Sequence, residues 1–310
     1  MSGHYPVMLP EVLESLNPTS GQVYVDGTFG AGGYARAILD AADCAVIGVD
    51  RDGDAAKRAE AFSDEFGERF TFLSGCFGDV EEILSQNGFE QVDGFILDLG
   101  VSSFQIDEAA RGFSFRFDGP LDMRMGSSGM SAADLVNETE EKELADIIYL
   151  YGEERHSRRV AKGVVARRKE QKFETTLDLA DVVRGLVPKS KDGIDPATRT
   201  FQALRIAVND ELGELERALG AAEKILKPGG RLVVVSFHSL EDRMVKEFLR
   251  AKSGGSGGSR YLPQVEQVAP VFELISRKAI KPSDAECAEN SRSRSAKLRA
   301  AIKVPRKEGG

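Results

Sequence analysis

Four apolar runs rich in β-branched residues occupy the first third of the chain. They cover residues 22–26, 44–50, 70–73 and 92–98. Helical spacing of apolar positions at 34–40 and 53–66 separates the first three runs. Strands that alternate with helices form a parallel sheet with right-handed crossovers. The sequence therefore predicts an α/β fold built on a parallel sheet.

A long helical stretch interrupts this alternation. Strand-like runs disappear between residues 106 and 208, and the segments 132–151, 155–171 and 177–186 are predicted to be helices. The alternation resumes with a helix at 210–226, a turn at 227–230 and a strand at 231–237. Two later runs, 271–276 and 298–304, are expected to pair antiparallel at the sheet edge.

This pattern predicts a sheet domain interrupted by an insertion. The segments are a first core part at 1–105, an inserted helical substrate-recognition domain at 106–208 and a second core part at 209–310. The last part contains a Gly/Ser loop at 253–259, whose composition cannot form a packed core, and a basic C-terminal tail.

Charge is unevenly distributed along the chain. The net charge of -9 argues against a protein that coats nucleic acid indiscriminately. Residues 151–172, however, contain eight basic and three acidic side chains, and residues 290–307 contain seven basic and none acidic. These two patches predict contact with a polyanion at one face; a solvated helix face plus a basic tail is the alternative. The candidate phosphate contacts are Arg155, Arg158, Arg159, Lys162, Arg199, Arg292 and Arg294.

Cysteine and histidine usage predicts neither disulfides nor a metal site. Cys44, Cys76 and Cys287 are far apart and outside any C-x-x-C pair. His4, His156 and His238 have no partner histidine at ligand spacing. No apolar run is long enough to cross a membrane, and the first residues do not resemble a signal peptide. We therefore expect a cytoplasmic protein with no membrane partner.

The turn after the first predicted strand is rich in glycine. Residues 26–33 read Asp-Gly-Thr-Phe-Gly-Ala-Gly-Gly, which lets the backbone turn tightly and approach a ligand at the end of the strand. Asp50 follows Gly30 by twenty residues and ends the second strand, where a carboxylate accepts hydrogen bonds from ribose hydroxyls. The sequence therefore predicts a nucleoside-sized pocket.

Two cofactors fit this turn. The spacing of Gly30, Gly32 and Ala35 also satisfies the nicotinamide dinucleotide fingerprint. Three features favour S-adenosylmethionine instead. Asp26 precedes the glycines, where its carboxylate suits an ammonium group and repels a pyrophosphate. The fourth strand ends in a polar Asp98-Leu99-Gly100, and the turn at 227–230 reads Lys-Pro-Gly-Gly, as in many methyltransferases.

Several blocks of sequence together resemble one known family. They are His4 to Leu9, Asp26 to Gly33, Asp98 to Gln105, Arg111 to Phe115, Asp118 to Met125, Tyr151 to Arg155, Pro196 to Ile206 and Ser236 to Arg243. The chain resembles the 16S ribosomal RNA cytosine-N4 methyltransferases, the RsmH or MraW family. This resemblance implies a Rossmann-like class I methyltransferase core that uses S-adenosylmethionine and carries an inserted helical domain. It also implies a cytoplasmic enzyme acting on the decoding region of 16S rRNA in the small ribosomal subunit.

The resemblance also implies site residues. Its cofactor positions are Gly32, Gly33, Tyr34, Asp50, Phe77, Asp98 and Gln105, to which the reading of the glycine turn adds Asp26 and Gly30. Where the family commonly has His, this chain has Tyr34, so a side-chain role there is in question. Phe77 is expected to pack on the adenine, since an aromatic face offers apolar area and stacking.

Catalysis is expected at the end of the fourth strand. Asp98 and the backbone leading to Ser102 are candidates for accepting a proton from the cytosine amine, and His238 is an additional candidate. A hydrogen-bonded structural role is the alternative for His238. Two other functions remain open, a nicotinamide oxidoreductase and a small-subunit assembly factor without catalysis. The sequence does not decide between a monomer and a homodimer.

Overall fold

The structure is a computed structural model that describes residues 6–189, 193–254 and 269–305, apart from the Ser103 side chain. Of the predicted Gly/Ser loop, positions 255–259 lie outside the described residues, as do His4 and the last residues of the basic tail. No helix in the described ranges is both long enough and apolar enough to cross a membrane.

The described strands form one mixed sheet. They are β1 (Val23–Asp26), β2 (Ala45–Asp50), β3 (Phe70–Ser74), β4 (Val92–Asp98), β5 (Leu226–Ser236), β6 (Phe272–Leu274) and β7 (Lys297–Lys303). Their order is β3-β2-β1-β4-β5-β7-β6. Strands β1 to β5 are parallel, whereas β7 runs antiparallel to both β5 and β6. The predicted parallel sheet with an antiparallel pair at its edge is confirmed.

Helices connect the strands and build the insertion. They are α1 (Leu9–Leu16), α2 (Gly33–Ala41), α3 (Gly53–Phe66), α4 (Val80–Gln86), α5 (Ser103–Asp107), α6 (Ala132–Glu138), α7 (Glu141–Gly152), α8 (Ser157–Arg168), α9 (Thr176–Leu186), α10 (Thr198–Asn209), α11 (Glu211–Ile225), α12 (Ser239–Lys252) and α13 (Asp284–Glu289). Short 3-10 turns lie at Gly67–Arg69, Phe77–Asp79, Ala109–Arg111 and Ser291–Ser295.

The sheet is buried on both faces. Successive side chains of a strand point to opposite faces. Accordingly, Tyr24 of β1 and Ile96 of β4 belong to one apolar cluster, whereas Val25 and Phe95 belong to another. Helices α1 and α2 contribute to the first cluster, and α4 and α11 to the second. The near-continuous apolar runs in the sequence reflect this burial on both sides.

Chain contacts divide the molecule into two compact units. The first contains residues 1–100 and 213–310, and the second contains residues 101–212. The second unit thus begins and ends a few residues outside the predicted insertion at 106–208. Its apolar core is built from α6 to α10 together with residues such as Leu121 and Met123 of the preceding loop.

The structure contradicts the single helix predicted at 132–151. Thr139 and Glu140 are extended, and they separate α6 from α7. The guanidinium of Arg168 stabilises this break, because its Nη1 donates to the carbonyls of Val136 at 2.8 Å and Thr139 at 2.7 Å. These carbonyls lie at the end of α6, where the helix cannot satisfy them itself. A cation at a helix C-terminus is also favourable electrostatically.

Candidate active site

Three acidic residues end neighbouring parallel strands. Asp26 ends β1, Asp50 ends β2 and Asp98 ends β4, and β1 lies between the other two in the sheet. Parallel strands place their carboxyl ends at one edge, which is the usual ligand site of open α/β sheets. The three carboxylates therefore converge at the edge that the glycine turn follows.

The glycine turn is held to the end of β2. The Gly30 amide donates to Oδ2 of Asp50 at 2.8 Å. Gly30 has a φ of 53°, and a Cβ added to it would have few neighbouring atoms. At Gly32, with a φ of 76°, a Cβ would lie 2.5 Å from the Phe62 ring. Gly32 is therefore required for a left-handed backbone and for packing, while the surface beside Gly30 stays open.

Asp26 is a fully buried carboxyl with unmet hydrogen-bonding capacity. Its Oδ1 accepts from the Thr28 amide at 3.2 Å, but its Oδ2 has no hydrogen-bond partner among the described residues. The pKa of Asp26 is raised from 3.8 to about 7, mainly by burial; the Thr28 amide opposes this shift and the neighbouring charge of Asp50 favours it. A buried carboxylate of this kind favours a cationic ligand group.

Asp98 is the second under-satisfied carboxyl of this edge. It is half-buried, and its Oδ1 has no hydrogen-bond partner among the described residues. Burial raises the pKa of Asp98 well above its ordinary value, and the nearby carboxylates of Asp26 and Glu241 add to that effect. The Asp98 amide donates to Oγ1 of Thr28 at 2.7 Å, so the backbone at this strand end is fixed.

Tyr34 packs into the core rather than facing solvent. Only 5% of it is exposed, and its hydroxyl donates to the carbonyl oxygen of Val7 at 2.5 Å. The same hydroxyl lies close enough to Asp98 to oppose the rise in the pKa of that carboxyl. A hydroxyl has a single proton, and here it goes to Val7. The side chain at this position therefore ties the start of the described chain to the site.

Asp50 ends β2, and Phe77 follows the end of β3 by three residues. Both carboxylate oxygens of Asp50 accept backbone hydrogen bonds, from Gly30 at 2.8 Å and from Asp52 at 2.9 Å. Burial is the largest influence on Asp50 and raises its pKa despite these two bonds. Phe77 begins a 3-10 turn shortly after β3 and is half-buried. Each carboxylate oxygen of Asp50 keeps a further lone pair, which can accept a hydrogen bond from a hydroxyl group.

His238 is part of a helix cap. Its Nδ1 accepts from the Glu241 amide at 3.4 Å, while Oε2 of the buried Glu241 accepts from the amides of Phe237 at 2.9 Å and His238 at 3.2 Å. The His238 Nε2 lies 3.0 Å from Oε1 of Glu241, in a geometry that makes no hydrogen bond. His238 therefore has a hydrogen-bonded structural role, which is the alternative to a catalytic role. Sequence reasoning missed Glu241, because a capping box is recognised from a Ser or Thr at the cap, and here the cap is His238.

Ser102 and Gln105 cap each other in the second unit. Oγ of Ser102 accepts from the Gln105 amide at 3.2 Å, and Oε1 of Gln105 accepts from the Ser102 amide at 2.9 Å. This reciprocal capping box begins α5. Gln105 is buried. The Ser102 hydroxyl oxygen is therefore engaged as a cap in this structure.

The predicted phosphate contacts of the second unit form what we call the basic surface. It comprises Arg155, Arg158, Arg159, Lys162 and Arg199, all exposed and without an ion pair to any described residue. A Cβ at Gly152 would lie 2.4 Å from the Arg199 carbonyl oxygen, so the end of α7 packs on the first turn of α10. Two neighbouring cations are internal instead: Arg167 pairs with Asp178 at 2.8 Å, and Arg168 holds the end of α6.

The predicted basic C-terminal tail is largely integrated into the first unit. Residues 297–303 form β7, between β5 and β6, and their cations Lys297 and Arg299 pair with Asp242 at 2.9 and 2.7 Å. Arg292 and Arg294 lie in the preceding 3-10 turn, where Nε of Arg294 donates to the Cys287 carbonyl. Within the described residues, the tail therefore contributes an internal strand, and its cations Lys297 and Arg299 are both paired with Asp242.

The strand order β3-β2-β1-β4-β5-β7-β6, with carboxylates at the ends of β1, β2 and β4, is that of a Rossmann-like class I methyltransferase fold. The chain belongs to the MraW methylase family, whose model matches residues 1–304. Among curated relatives, proteins named ribosomal RNA small subunit methyltransferase H show similarity over nearly the whole chain. That of Rhodospirillum rubrum is 61% identical, covering 97% of this chain and 94% of its own. Those of Rhodospirillum centenum and Paramagnetospirillum magneticum are 61% and 59% identical, covering 96% and 97% of this chain and 91% and 96% of theirs.

Proposed function

We propose that this chain methylates the exocyclic N4 amine of a cytosine in the decoding region of 16S rRNA, with S-adenosylmethionine as methyl donor. The observation that carries the proposal is the pair of unpartnered carboxylate oxygens, Oδ2 of Asp26 and Oδ1 of Asp98, at adjoining strand ends. The names of the relatives, ribosomal RNA small subunit methyltransferase H, support rRNA as the substrate.

The residues at this edge fit the cofactor. The Asp26 carboxylate would bind the methionine ammonium, because a buried anion without a partner is stabilised by a cation. Asp50 would accept the ribose hydroxyls, and Phe77 would pack on the adenine. The open surface at Gly30 and the backbone of Gly32, Gly33 and Tyr34 would line the remaining contacts, and Gln105 joins them by resemblance.

Methyl transfer to N4 needs positioning and a proton acceptor. S-adenosylmethionine supplies a methyl group already activated by the sulfonium. The N4 lone pair is delocalised into the cytosine ring, so an acceptor for an N4 proton helps it to localise. Asp98 would serve as that acceptor, since burial raises the pKa of its carboxyl and makes it a stronger base when ionised. Holding N4 in line with the methyl supplies the larger part of the rate.

His238 and Ser102 remain candidates with smaller roles. The Nδ1 of His238 is held by the α12 cap and its buried Nε2 faces Oε1 of Glu241 at 3.0 Å, so a role of His238 in catalysis would require this pair to rearrange. Ser102 would act through the backbone of the segment that follows β4. The basic surface would bind RNA phosphates, with Arg292 and Arg294 as further contacts.

The proposal is tested with methyl-labelled S-adenosylmethionine and small ribosomal subunits from a strain that lacks this methylation. The RNA is digested after the reaction, and the labelled nucleoside is identified by mass spectrometry. We expect label in N4-methylcytidine at one position. Label in another nucleoside would refute the N4 assignment. Binding to subunits without transfer to RNA or protein would instead indicate an assembly factor with a cofactor pocket.

A further inference from the structure

Phenylalanine occupies every second position from 113 to 117 in the loop before α6, and one of the three rings does not pack on the apolar core. Phe113 and Phe115 pack against the apolar core of the second unit. The Phe115 ring lies 4.7 Å from that of Phe201 in an edge-on arrangement, and the Arg184 guanidinium covers it at 5.3 Å. Phe117, in contrast, is 60% exposed. Its ring is therefore available to a ligand.

The exposure of Phe117 does not come from a loosely held backbone. The fully buried hydroxyl of Thr176 donates to the Phe117 carbonyl at 3.1 Å and accepts from the Gly119 amide at 3.2 Å. The Thr176 amide donates in turn to the Gly119 carbonyl at 2.9 Å. The first residue of α9 thus fixes the backbone from the Phe117 carbonyl to Gly119.

Close backbone packing fixes the same loop from the other side. A Cβ at Gly119 would lie 2.0 Å from the Ala109 carbonyl oxygen, and one at Gly112 would lie 2.2 Å from the Pro120 carbonyl oxygen. Only glycine permits such approaches. The ring of Phe117 is therefore presented at low conformational cost, as in preorganised binding surfaces.

The charges beside Phe117 suit a polyanion. The exposed Arg116 precedes it and makes no ion pair with any described residue. Asp118 follows it, but its Oδ1 accepts from the Leu177 amide in the first turn of α9. A hydrogen bond from Thr175 is the largest influence on Asp118 and lowers its pKa. The carboxylate thus acts as a helix cap, and the guanidinium remains for a phosphate.

We infer that Phe117 stacks on an unpaired nucleobase of the RNA substrate and that Arg116 contacts the adjoining phosphate. An exposed aromatic ring next to a cation matches the chemistry of single-stranded nucleic acid, where bases stack on rings and the backbone is neutralised. The inference rests on the proposed rRNA substrate. It adds a base-binding position in the second unit.

The first test compares kcat/KM for methyl transfer to small subunits. Stacking on one base corresponds to about a tenfold change in affinity, so Phe117→Ala should lower kcat/KM by about that factor, mainly through KM. Phe117→Trp keeps a stacking face and should restore the wild-type value. Tyr149→Ala is the matched control, because Tyr149 is a similarly exposed aromatic of the same unit, at 57%; its kcat/KM should not change.

The second test distinguishes a base from a protein contact. Bases of the subunit RNA are probed with dimethyl sulfate and a carbodiimide at saturating enzyme. We expect one single-stranded base to be protected by the wild type and reactive with Phe117→Ala, with the other protections unchanged. If the wild type and Phe117→Ala protect the same bases, the inference is overturned. If Phe117→Ala then also has a lower kcat/KM, the Phe117 ring contacts a ribosomal protein and not a base. A wild type that methylates no RNA would refute the proposed function itself.

Discussion

The pH dependence of cofactor binding follows from the buried carboxyl of Asp26. Its pKa is about 7 in the folded chain against 3.8 ordinarily, so the ionised form destabilises the fold by about 4 kcal/mol above pH 7. Because both folded and unfolded forms are protonated below pH 4, the free energy of unfolding should fall as the pH rises from 4 to 7. A bound ammonium would offset this cost by favouring the carboxylate.

Cofactor binding should therefore release a proton in mildly acid solution. At pH 6 about nine-tenths of Asp26 carboxyls are protonated, so binding of S-adenosylhomocysteine should release about 0.9 proton from this group. Between pH 6 and pH 7 the ionised fraction rises about fivefold, and the affinity should rise by a similar factor.

Isothermal titration at pH 6 in two buffers of different ionisation enthalpy measures this release directly. Asp26→Asn keeps the shape of the side chain but cannot ionise, so it should bind more weakly and release correspondingly fewer protons. Asp40→Asn changes an exposed acid at the end of α2 and serves as the control. If the wild type releases no proton at pH 6, the assignment of the ammonium to Asp26 is refuted.

Two further predictions concern the basic surface and the glycine turn. Reversing the charge of Arg158, Arg159 and Lys162 should weaken RNA binding and flatten its dependence on salt, with the exposed Lys57→Glu as control; an unchanged salt slope would count against the basic surface. Gly32→Ala should lower the free energy of unfolding by about 2 kcal/mol or more, since it strains a left-handed residue and meets the Phe62 ring; a denaturation midpoint equal to that of the wild type would contradict this packing.

The sheet was predictable because its strands are buried on both faces. Continuous β-branched runs such as 44–50 and 92–98 are typical of strands buried on both faces, and β2 and β4 lie within these two runs. Sequence reasoning did not identify α12, whose cap is His238 rather than one of the common capping residues. It also joined α6 to α7, because the break depends on Arg168, a residue distant in sequence.

The site was predictable only as far as strand ends and turns determine it. Asp26, Asp50 and Asp98 follow from their positions after apolar runs, since parallel strands end at one edge. The buried position of Tyr34 and its bond to Val7 depend on packing between separate elements. The pKa of Asp98 depends on Glu241, which is distant in sequence. Such effects arise from tertiary burial and cannot be obtained from local patterns.

The measurement that tests the central claim most directly is the single-turnover rate of methyl transfer with Asp98→Asn. The substitution removes the proposed proton acceptor and keeps the size of the side chain. We predict a rate lower by about 10²- to 10⁴-fold, with an affinity for S-adenosylhomocysteine within about tenfold of the wild type. A wild-type rate in Asp98→Asn would contradict the account and place the proton acceptor elsewhere.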